Sequence, residues 1–245
     1  MYNYKIVVEY DGSNYSGWQK QTGRATIQQA LEDAVFSLSG EHAEVVGSGR
    51  TDAGVSAVGQ VANFKIDKLF STQKLVYALN SKLPADISVQ SAELASEDFS
   101  SRFSAKQKTY QYYFYTSLAR KPLLDKFALK CKPLNIGAMQ EACKYVVGTK
   151  DFTSFVAANS GKTDFVRTVL DCNLQQVADC TYRLEITGTG FLYNMVRIIM
   201  GTLIMIGEGK RTPEDMAKII EAKNRQLAGK TVPAKGLVLK QVNYK

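Results

Sequence analysis

The pattern of apolar and polar residues predicts a strand, a turn and a helix at the start of the chain. Residues 4–10 alternate loosely between apolar and polar positions, and residues 11–12 form an Asp-Gly pair, which is typical of a strand followed by a turn. Thr26, followed three residues later by a glutamine, has the form of a capping box. From Ile27 onward apolar residues recur at helical spacing until Gly40, so an amphipathic helix is predicted between these two residues.

Residues 43–94 complete the order βαββαβ, which is the ferredoxin-like split unit. The elements predicted after the first helix are strands at 43–48 and 57–66, a helix at 72–82 and a strand at 87–94. A glycine-flanked turn that contains Asp52 connects the second and third strands.

The remainder of the chain repeats this alternation of strands and helices. It predicts a strand at 108–116, a helix at 136–147, strands at 167–178 and 181–188, an apolar helix at 191–206, a small helix at 213–222 and a final strand at 236–243. We therefore predict an α+β fold of two ferredoxin-like halves, residues 1–104 and 105–245, whose antiparallel sheets meet at a central cleft.

Composition narrows the class of partner. The chain has 45% hydrophobic and 22% charged residues, typical of a globular protein, and its formal charge is +8. A basic protein favours a polyanionic partner through counterion release. The 13 tyrosines and 11 phenylalanines also provide stacking surfaces of the kind used in recognition of single-stranded RNA.

Cysteine usage and hydropathy indicate a reduced, cytoplasmic protein. The four cysteines are far apart and the chain has one histidine, His42, so neither a zinc site nor a disulfide framework is predicted. The N-terminus lacks the apolar core of a signal peptide. The apolar stretch 191–206 is short for a membrane span and contains Arg197, so no membrane segment is predicted.

The stretch from Gly49 to Val55 holds the most informative carboxylate. Asp52 lies between two glycines and close to Arg50, at the end of one predicted strand and before another. Glycines allow a positive φ and a close approach by another molecule, so this is a tight turn that another molecule can reach. A turn aspartate that only caps its own backbone is the competing interpretation.

Arg197 is the only charged residue in the apolar helix predicted at 191–206. An arginine in a buried helix needs an acceptor, best a carboxylate that binds both arms of the guanidinium. A structural ion pair, or a stem that reaches solvent, would also satisfy it. If the two halves face each other, Asp52 is the natural partner, and the pair would keep Asp52 ionised and oriented.

Tyr110 lies near the start of an aromatic strand and follows Lys106 and Lys108. Strand alternation puts it on the same face as Tyr112 and Phe114, where packing is the usual role of aromatic residues. A tyrosine at a strand end could instead stack on a base and handle a proton.

Scattered cations could contact phosphates around such a site. We consider Arg24, Lys20, Arg50 and Arg102, although a solvated surface charge is the ordinary interpretation of each one alone. The chain has no GxGxxG, Walker, HExxH or GxSxG motif.

These residues belong to short motifs spread over nearly the whole chain. In chain order the motifs are Tyr10-Asp11-Gly12-Ser13, Gly17-Trp18-Gln19, Gly49-Arg50-Thr51-Asp52-Ala53-Gly54-Val55, Arg102-Phe103-Ser104-Ala105 before Tyr110, Asp151-Phe152-Thr153-Ser154-Phe155, Phe191-Leu192, Met195-Val196-Arg197 and Ala234-Lys235-Gly236-Leu237. In content and order they resemble the tRNA pseudouridine synthase A family, and the stretch from Gly49 to Val55 is highly specific.

The resemblance implies the pseudouridine synthase fold, in which the central cleft binds RNA, and a homodimeric, metal-free enzyme. Its implied reaction is isomerisation of uridine to pseudouridine in the anticodon stem-loop of tRNA, at positions 38, 39 and 40. It assigns Asp52 as the essential aspartate, Tyr110 as the tyrosine over the target base, and Arg197 as the arginine that holds the aspartate. Leu237 matches an apolar residue packed against the flipped base, and Arg50 a residue that helps to displace it. The reaction involves no redox change and adds no atom, so no cofactor is expected.

The chain departs from the family pattern at two places. Ser56 stands where the family commonly has histidine, and Ser100-Ser101 stand where it often has His-Ala before the arginine matched by Arg102. None of these is a matched catalytic position, so we expect peripheral RNA contacts to differ and the chemistry to be retained.

Two other classes of function are weighed against this one. A non-catalytic RNA-binding or chaperone protein with the same fold would bind RNA without forming product, and the loss of Asp52 or Arg197 would favour it; both are present. A small-molecule hydrolase lacks a plausible pairing of nucleophile and base, and it has little need for a charge of +8.

Overall fold

The computed structural model describes residues 1–157 and 164–244, which form two compact units. The first unit is Met1–Lys106 together with Val238–Lys245, and the second is Gln107–Leu237. The sequence predicts a division at residue 104 with all later residues in one half. The difference lies in the last strand, because a sequence pattern indicates a strand without indicating its partner.

The first unit has the order βαββαβ that the sequence predicts. Its elements are β1 (Tyr2–Tyr10), α1 (Ile27–Ser39), β2 (Val46–Gly47), β3 (Ser56–Ile66), α2 (Thr72–Asn80) and β4 (Ile87–Ala95). β1 pairs antiparallel with both β3 and β4, and β2 pairs antiparallel with β3. This gives the ferredoxin-like strand order 4-1-3-2.

Local signals account for α1. The Thr26 side chain accepts a hydrogen bond from the Gln29 backbone N–H, and Gly40 ends the helix in the left-handed conformation at a φ of 79°. The apolar stripe is buried, with Ile27 and Leu31 both fully inaccessible to solvent. The helix therefore packs through the face that the sequence predicts.

The edge of β3 pairs with two different strands along its length. At one end Val46 of β2 is opposite Asn63. At the other end the last strand, β10 (Leu237–Asn243), runs parallel to β3, with Val238 opposite Ser56. The chain thus returns to the first unit beside the turn that contains Asp52.

The second unit is a sheet covered by helices. Its elements are β5 (Gln107–Thr116), β6 (Leu129–Cys131), α3 (Ile136–Val146), β7 (Gly148–Asp151), β8 (Val166–Ala178), β9 (Thr181–Gly188), α4 (Met195–Gly207) and α5 (Asp215–Glu221). The antiparallel order is β5-β9-β8-β7, with β6 parallel to β5. α3 packs against β8, α4 and α5. The predicted α+β fold is confirmed, and the short strands β6 and β7 are additions to it.

Helix α4 begins later than the sequence predicts. Asn194 has a φ of 62°, a left-handed conformation that cannot continue a right-handed helix backward, so α4 starts at Met195 and not at 191. From there to Gly207 nearly every residue is buried, as expected for a helix that is apolar on all sides. Within residues 1–157 and 164–244, no helix combines the length and apolarity required to cross a membrane.

Candidate active site

Asp52 lies on a tight turn directly before β3, as the sequence predicts. The Val55 backbone N–H donates to the Asp52 carbonyl at 3.1 Å and closes the turn. Gly54 has a φ of 77°, which favours glycine at this position. The Asp52 side chain is half-buried. A carboxylate is therefore held at a fixed place and remains accessible.

The segment after β1 fixes the turn from the other side. The Trp18 N–H donates to the Thr51 carbonyl at 3.1 Å, and the Gly54 N–H donates to the Tyr15 carbonyl at 3.3 Å. The Tyr10 hydroxyl and the Thr51 hydroxyl are 2.8 Å apart and share a hydrogen bond. These contacts flank Asp52 on both sides, so the backbone that carries it has little freedom.

Two glycines allow this close contact between segments. A Cβ on Gly17 would lie 2.6 Å from the Thr51 carbonyl oxygen, and Gly17 has a φ of 91°. A Cβ on Gly12 would lie 2.1 Å from the Val55 carbonyl oxygen. Because backbone atoms cannot move aside cheaply, only glycine fits at either position. The glycines of the two N-terminal motifs thus serve the Asp52 turn.

A buried polar layer supports the turn from beneath. Gln60 on β3 is fully buried; its amide donates to the Gly49 carbonyl at 3.0 Å and accepts from the Ser48 hydroxyl at 2.7 Å. Burial raises the pKa of the nearby Tyr10 phenol to about 12, against opposing hydrogen bonds from Thr51 and Gln60. Tyr10 is therefore neutral at physiological pH and acts as a hydrogen-bonding support. Sequence reasoning missed Gln60, whose signal was a polar residue next to the apolar pair Val61-Ala62 within a predicted strand.

We expect Gly12→Ala to destabilise the protein and to lower its activity. The added methyl would meet backbone atoms of Val55, and overpacking of this kind costs about 1–3 kcal/mol. Thermal unfolding followed by circular dichroism measures the effect. Gly190→Ala is the matched control because a Cβ there meets no atom within 4 Å. Equal melting temperatures for the two variants would contradict the proposed role of Gly12.

In the second unit, Arg197 is half-buried on the first turn of α4. Its Nε donates to the Val232 carbonyl at 2.8 Å, and one terminal nitrogen donates to the Asn194 side-chain oxygen at 2.7 Å. The Val232 N–H donates back to the Arg197 carbonyl at 3.4 Å. Arg197 thus has polar acceptors within its own unit, and its orientation is fixed by them.

The segment that leads to Leu237 is held by hydrogen bonds from Arg197 and from Tyr112. The Tyr112 hydroxyl donates to the Pro233 carbonyl at 2.8 Å, and a Cβ on Gly236 would lie 2.7 Å from the Tyr112 ring. Burial raises the pKa of Tyr112, and the charge of Arg197 opposes that shift. Leu237 is 6% exposed. Arg197 and Tyr112 therefore hold the chain directly before the turn that leads to Leu237.

Tyr110 is also buried in the second unit, with 8% of its surface exposed. It pairs with Ile186 of β9, and its ring meets the Phe191 ring edge-on at a centroid distance of 5.3 Å. Packing therefore accounts for part of its role, as its strand position predicts. The ring orientation is set by Phe191, which precedes the first turn of α4.

The predicted basic rim lies in the first unit. Arg24, Arg50 and Arg102 are all exposed. The guanidinium of Arg102 sits over the Phe103 ring, 5.2 Å from its centroid. Exposed arginines are suited to mobile contacts with phosphates.

Both departures from the family pattern make structural contacts in the first unit. The Ser56 hydroxyl accepts from the Gly12 N–H at 3.0 Å. Ser13 hydrogen bonds keep the pKa of Asp11 below its ordinary value, and Ser56 adds to this effect. Ser101 is fully buried; its N–H donates to the Asn63 side-chain oxygen at 2.8 Å and its hydroxyl donates to the Val46 carbonyl. The two sequence differences thus support the local backbone.

A surface groove of about 420 Å³ lies beside β1 and β3 in the first unit. Its walls carry the carboxylates of Glu9, Asp11 and Asp86. Negative charges repel a polyanion, so this groove is a poor site for nucleic acid. Among the residues described by the structure, no cluster of three or more His, Cys, Asp or Glu side chains could hold a metal ion.

Comparison with known proteins gives matches over the full chain. A family model described as tRNA pseudouridine synthase matches residues 6–104 and 142–245. The chain is 46% identical to tRNA pseudouridine synthase A of Caldicellulosiruptor saccharolyticus, covering 100% of both chains. It is 44% identical to the protein of that name from Bacillus subtilis, covering 98% of each. A chain of a Cbf5-Nop10-Gar1 crystal structure has a TM-score of 0.35 and 9% identity, covering 96% of this chain and 57% of that one.

Proposed function

The chain belongs to the tRNA pseudouridine synthase family, and on that premise we propose that it isomerises uridine to pseudouridine in the anticodon stem-loop of tRNA, at positions 38, 39 and 40. The observation that supports this most strongly is the rigid turn that presents Asp52. Three hydrogen bonds from the segment 10–18 and two obligatory glycines hold one half-buried carboxylate at the start of β3. Such pre-organisation is expected of a residue that acts on substrate.

In this reaction the uracil is detached from the ribose and then reattached through a different ring atom. The N1–C1′ bond of uridine breaks, the uracil rotates, and C5 joins C1′; the proton on C5 is then lost while N1 gains one. Atoms and electrons balance within the nucleoside, so the proposal includes no metal and no cofactor. The carboxylate of Asp52 can attack C1′, attack the uracil ring or remove a sugar proton, and all three routes require it ionised.

The other roles follow from the chemistry of each side chain. Arg197 supplies the positive charge that keeps a carboxylate ionised, and its predicted pairing with Asp52 stays a prediction of the sequence. Tyr110 covers the target base and takes part in removing the C5 proton, directly or through water. Leu237 provides the apolar wall for a base that has left its stack.

The basic residues serve to bind and open the RNA. Arg50 helps to displace the target base, while Arg24 and Arg102 contact the phosphate backbone. The proposal also includes a homodimer in the cytoplasm, which sedimentation at several concentrations and cell fractionation would check.

Mutation of one rim arginine should weaken tRNA binding. It should also reduce the slope of log affinity against log salt concentration by about one.

Site mapping tests the function directly. A tRNA transcript with uridines at positions 38, 39 and 40 is incubated with the purified protein in the presence of EDTA, and its nucleosides are mapped by mass spectrometry. Pseudouridine at those positions supports the proposal, and pseudouridine elsewhere in the tRNA overturns the assigned region. Tight binding without product favours the non-catalytic RNA-binding alternative.

We expect Tyr110→Phe to slow turnover more than it weakens tRNA binding. Phenylalanine keeps the ring and its contact with Phe191 but removes the hydroxyl, which the proposal uses for proton transfer, a step worth about 10²- to 10⁴-fold. Single-turnover rates and a binding titration separate the two effects. Tyr145→Phe, on α3, is a control that keeps the same chemical change away from the site. Equal losses of rate and affinity would reduce Tyr110 to a stacking residue.

A further inference from the structure

An exposed aromatic ring lies in the first unit outside the residues assigned above. Phe103 follows β4 in the connection to β5 and has 81% of its surface exposed. A phenylalanine so exposed loses the favourable burial of its apolar ring. It requires either a flexible connection in which exposure is incidental, or a partner that covers the ring.

The connection that carries Phe103 is firmly anchored to the sheet. The Asn3 side chain donates to the Ser96 carbonyl at 2.8 Å and to the Phe99 carbonyl at 3.0 Å. Asn63 accepts from the Ser101 N–H at 2.8 Å and donates to the Asn3 side-chain oxygen at 3.0 Å. Both asparagines are buried, so β1 and β3 hold this connection in place.

Further bonds fix the turn immediately around the ring. The Ser104 N–H donates to the Ser100 carbonyl at 2.9 Å, and the Phe103 N–H donates to the Ser100 hydroxyl at 3.4 Å. The Tyr244 hydroxyl donates to the Ser101 carbonyl at 2.8 Å, which joins the end of the chain to the same turn. The ring is therefore exposed on an ordered turn, and flexibility of the connection does not account for its exposure.

Arg102 contacts one face of the Phe103 ring. Its guanidinium lies over the ring, 5.2 Å from the centroid, which is the geometry of a cation–π contact. One face of the ring therefore meets a positive charge, and the ring can still offer its other face to a flat partner. Glu97 and Asp98 lie at the start of the connection, so the positive charge is concentrated at its tip.

We propose that Phe103 is a stacking platform for one unpaired base of the tRNA, with Arg102 as its cationic backing. The proposal rests on the proposed function, which supplies a substrate with an unpaired loop. A nucleobase has a flat π face that matches the ring, and base–aromatic stacking tolerates any sequence. The arginine beside it meets the phosphate of the stacked nucleotide, which explains why Arg and Phe are adjacent. The docked RNA is thereby held at a point separate from the Asp52 turn.

The test is binding of an anticodon stem-loop RNA to Phe103 variants. We expect Phe103→Ala to weaken binding by about 5- to 100-fold, the range produced by the loss of one base–aromatic stack, with the loss of activity appearing in KM more than in kcat. Phe103→Trp should restore affinity because it keeps a stacking face. Replacing each unpaired base in turn with 2-aminopurine should identify one position whose fluorescence is quenched by the wild type and not by Phe103→Ala.

Tyr77 provides a matched control. It is an aromatic residue of the same unit on α2 and is 80% exposed, and no role is assigned to it. We expect Tyr77→Ala to bind the RNA with wild-type affinity. An equal loss of affinity in both alanine variants would show a general surface effect and overturn the assignment of Phe103.

The remaining outcomes separate this inference from the proposed function. If the wild type forms pseudouridine and Phe103→Ala binds RNA equally well, the stacking platform is wrong and the enzyme assignment stands. If the wild type neither binds the RNA nor forms product, the proposed function fails and the inference with it. A change of sedimentation coefficient on Phe103→Ala would show that a second copy of this chain covers the ring, which also overturns it.

Discussion

Replacing Asp52 with asparagine is expected to reduce pseudouridine formation by at least about 10³-fold while tRNA affinity stays near the wild-type value. Asparagine has the same shape but cannot act as a carboxylate, whichever of the three routes applies. The bonds that hold the turn come from backbone atoms and from the Tyr10 and Thr51 hydroxyls, so the turn should persist. Single-turnover assays with radiolabelled tRNA, together with a binding titration, measure the two quantities separately.

Asp33→Asn is the matched control for this result. Asp33 is an exposed carboxylate on α1 in the same unit, where it accepts a hydrogen bond from Gln29. It has no assigned role, so its variant should turn over at the wild-type rate. Two findings would contradict the role of Asp52: product at the wild-type rate, or a loss of binding as large as the loss of turnover.

Replacing Arg197 with methionine is expected to abolish most activity while the protein remains folded. Methionine suits the apolar surroundings of α4 and fills similar volume, although the Val232 carbonyl and the Asn194 side chain each lose a donor. A lost hydrogen bond to a charged group costs about 1.5–3 kcal/mol, so we expect a lower melting temperature with one cooperative transition. Thermal melts and turnover assays are run on the same preparation.

Arg197→Lys distinguishes charge from geometry. Lysine keeps the positive charge but loses the planar fork that binds two acceptors at once, so partial activity is expected. The predicted pairing with Asp52 is tested by a double-mutant cycle. If the two residues act as a pair, adding Asp52→Asn to Arg197→Met should cause little further loss of rate. Wild-type turnover in Arg197→Met would exclude Arg197 from the active site.

Elements with strong local signals were predicted closely from the sequence. The helix predicted between Ile27 and Gly40 is observed as Ile27–Ser39, because its capping threonine, apolar stripe and terminal glycine all act within a few residues. The strand predicted at 43–48 is reduced to Val46–Gly47, and β6 and β7 were missed. Strands this short exist only through pairing with a neighbour, and no local pattern records that pairing.

The candidate site was also predicted only where its residues are adjacent in the sequence. The turn around Asp52 was predicted because its glycines and its carboxylate are contiguous in the sequence. The contacts that make it rigid were not, since Trp18 and Gln60 reach it only after the chain has folded. The hydrogen bond that Ser56 accepts from the Gly12 N–H was not predicted either, and the expected change in RNA contacts at Ser56 stays a prediction. The sequence thus shows where in a motif a substitution lies, but it does not show which residues the new side chain contacts.

The return of β10 to the edge of β3 has a consequence for biosynthesis. The residues of the Asp52 turn are translated early. The strand β10, which pairs with Ser56 and Ala57 next to that turn, is translated only after the whole of the second unit. At about 5–20 residues per second, the edge of β3 is exposed on the nascent polypeptide for on the order of ten seconds. An exposed edge strand is a template for aggregation, so this interval is when the newborn chain has most need of a chaperone.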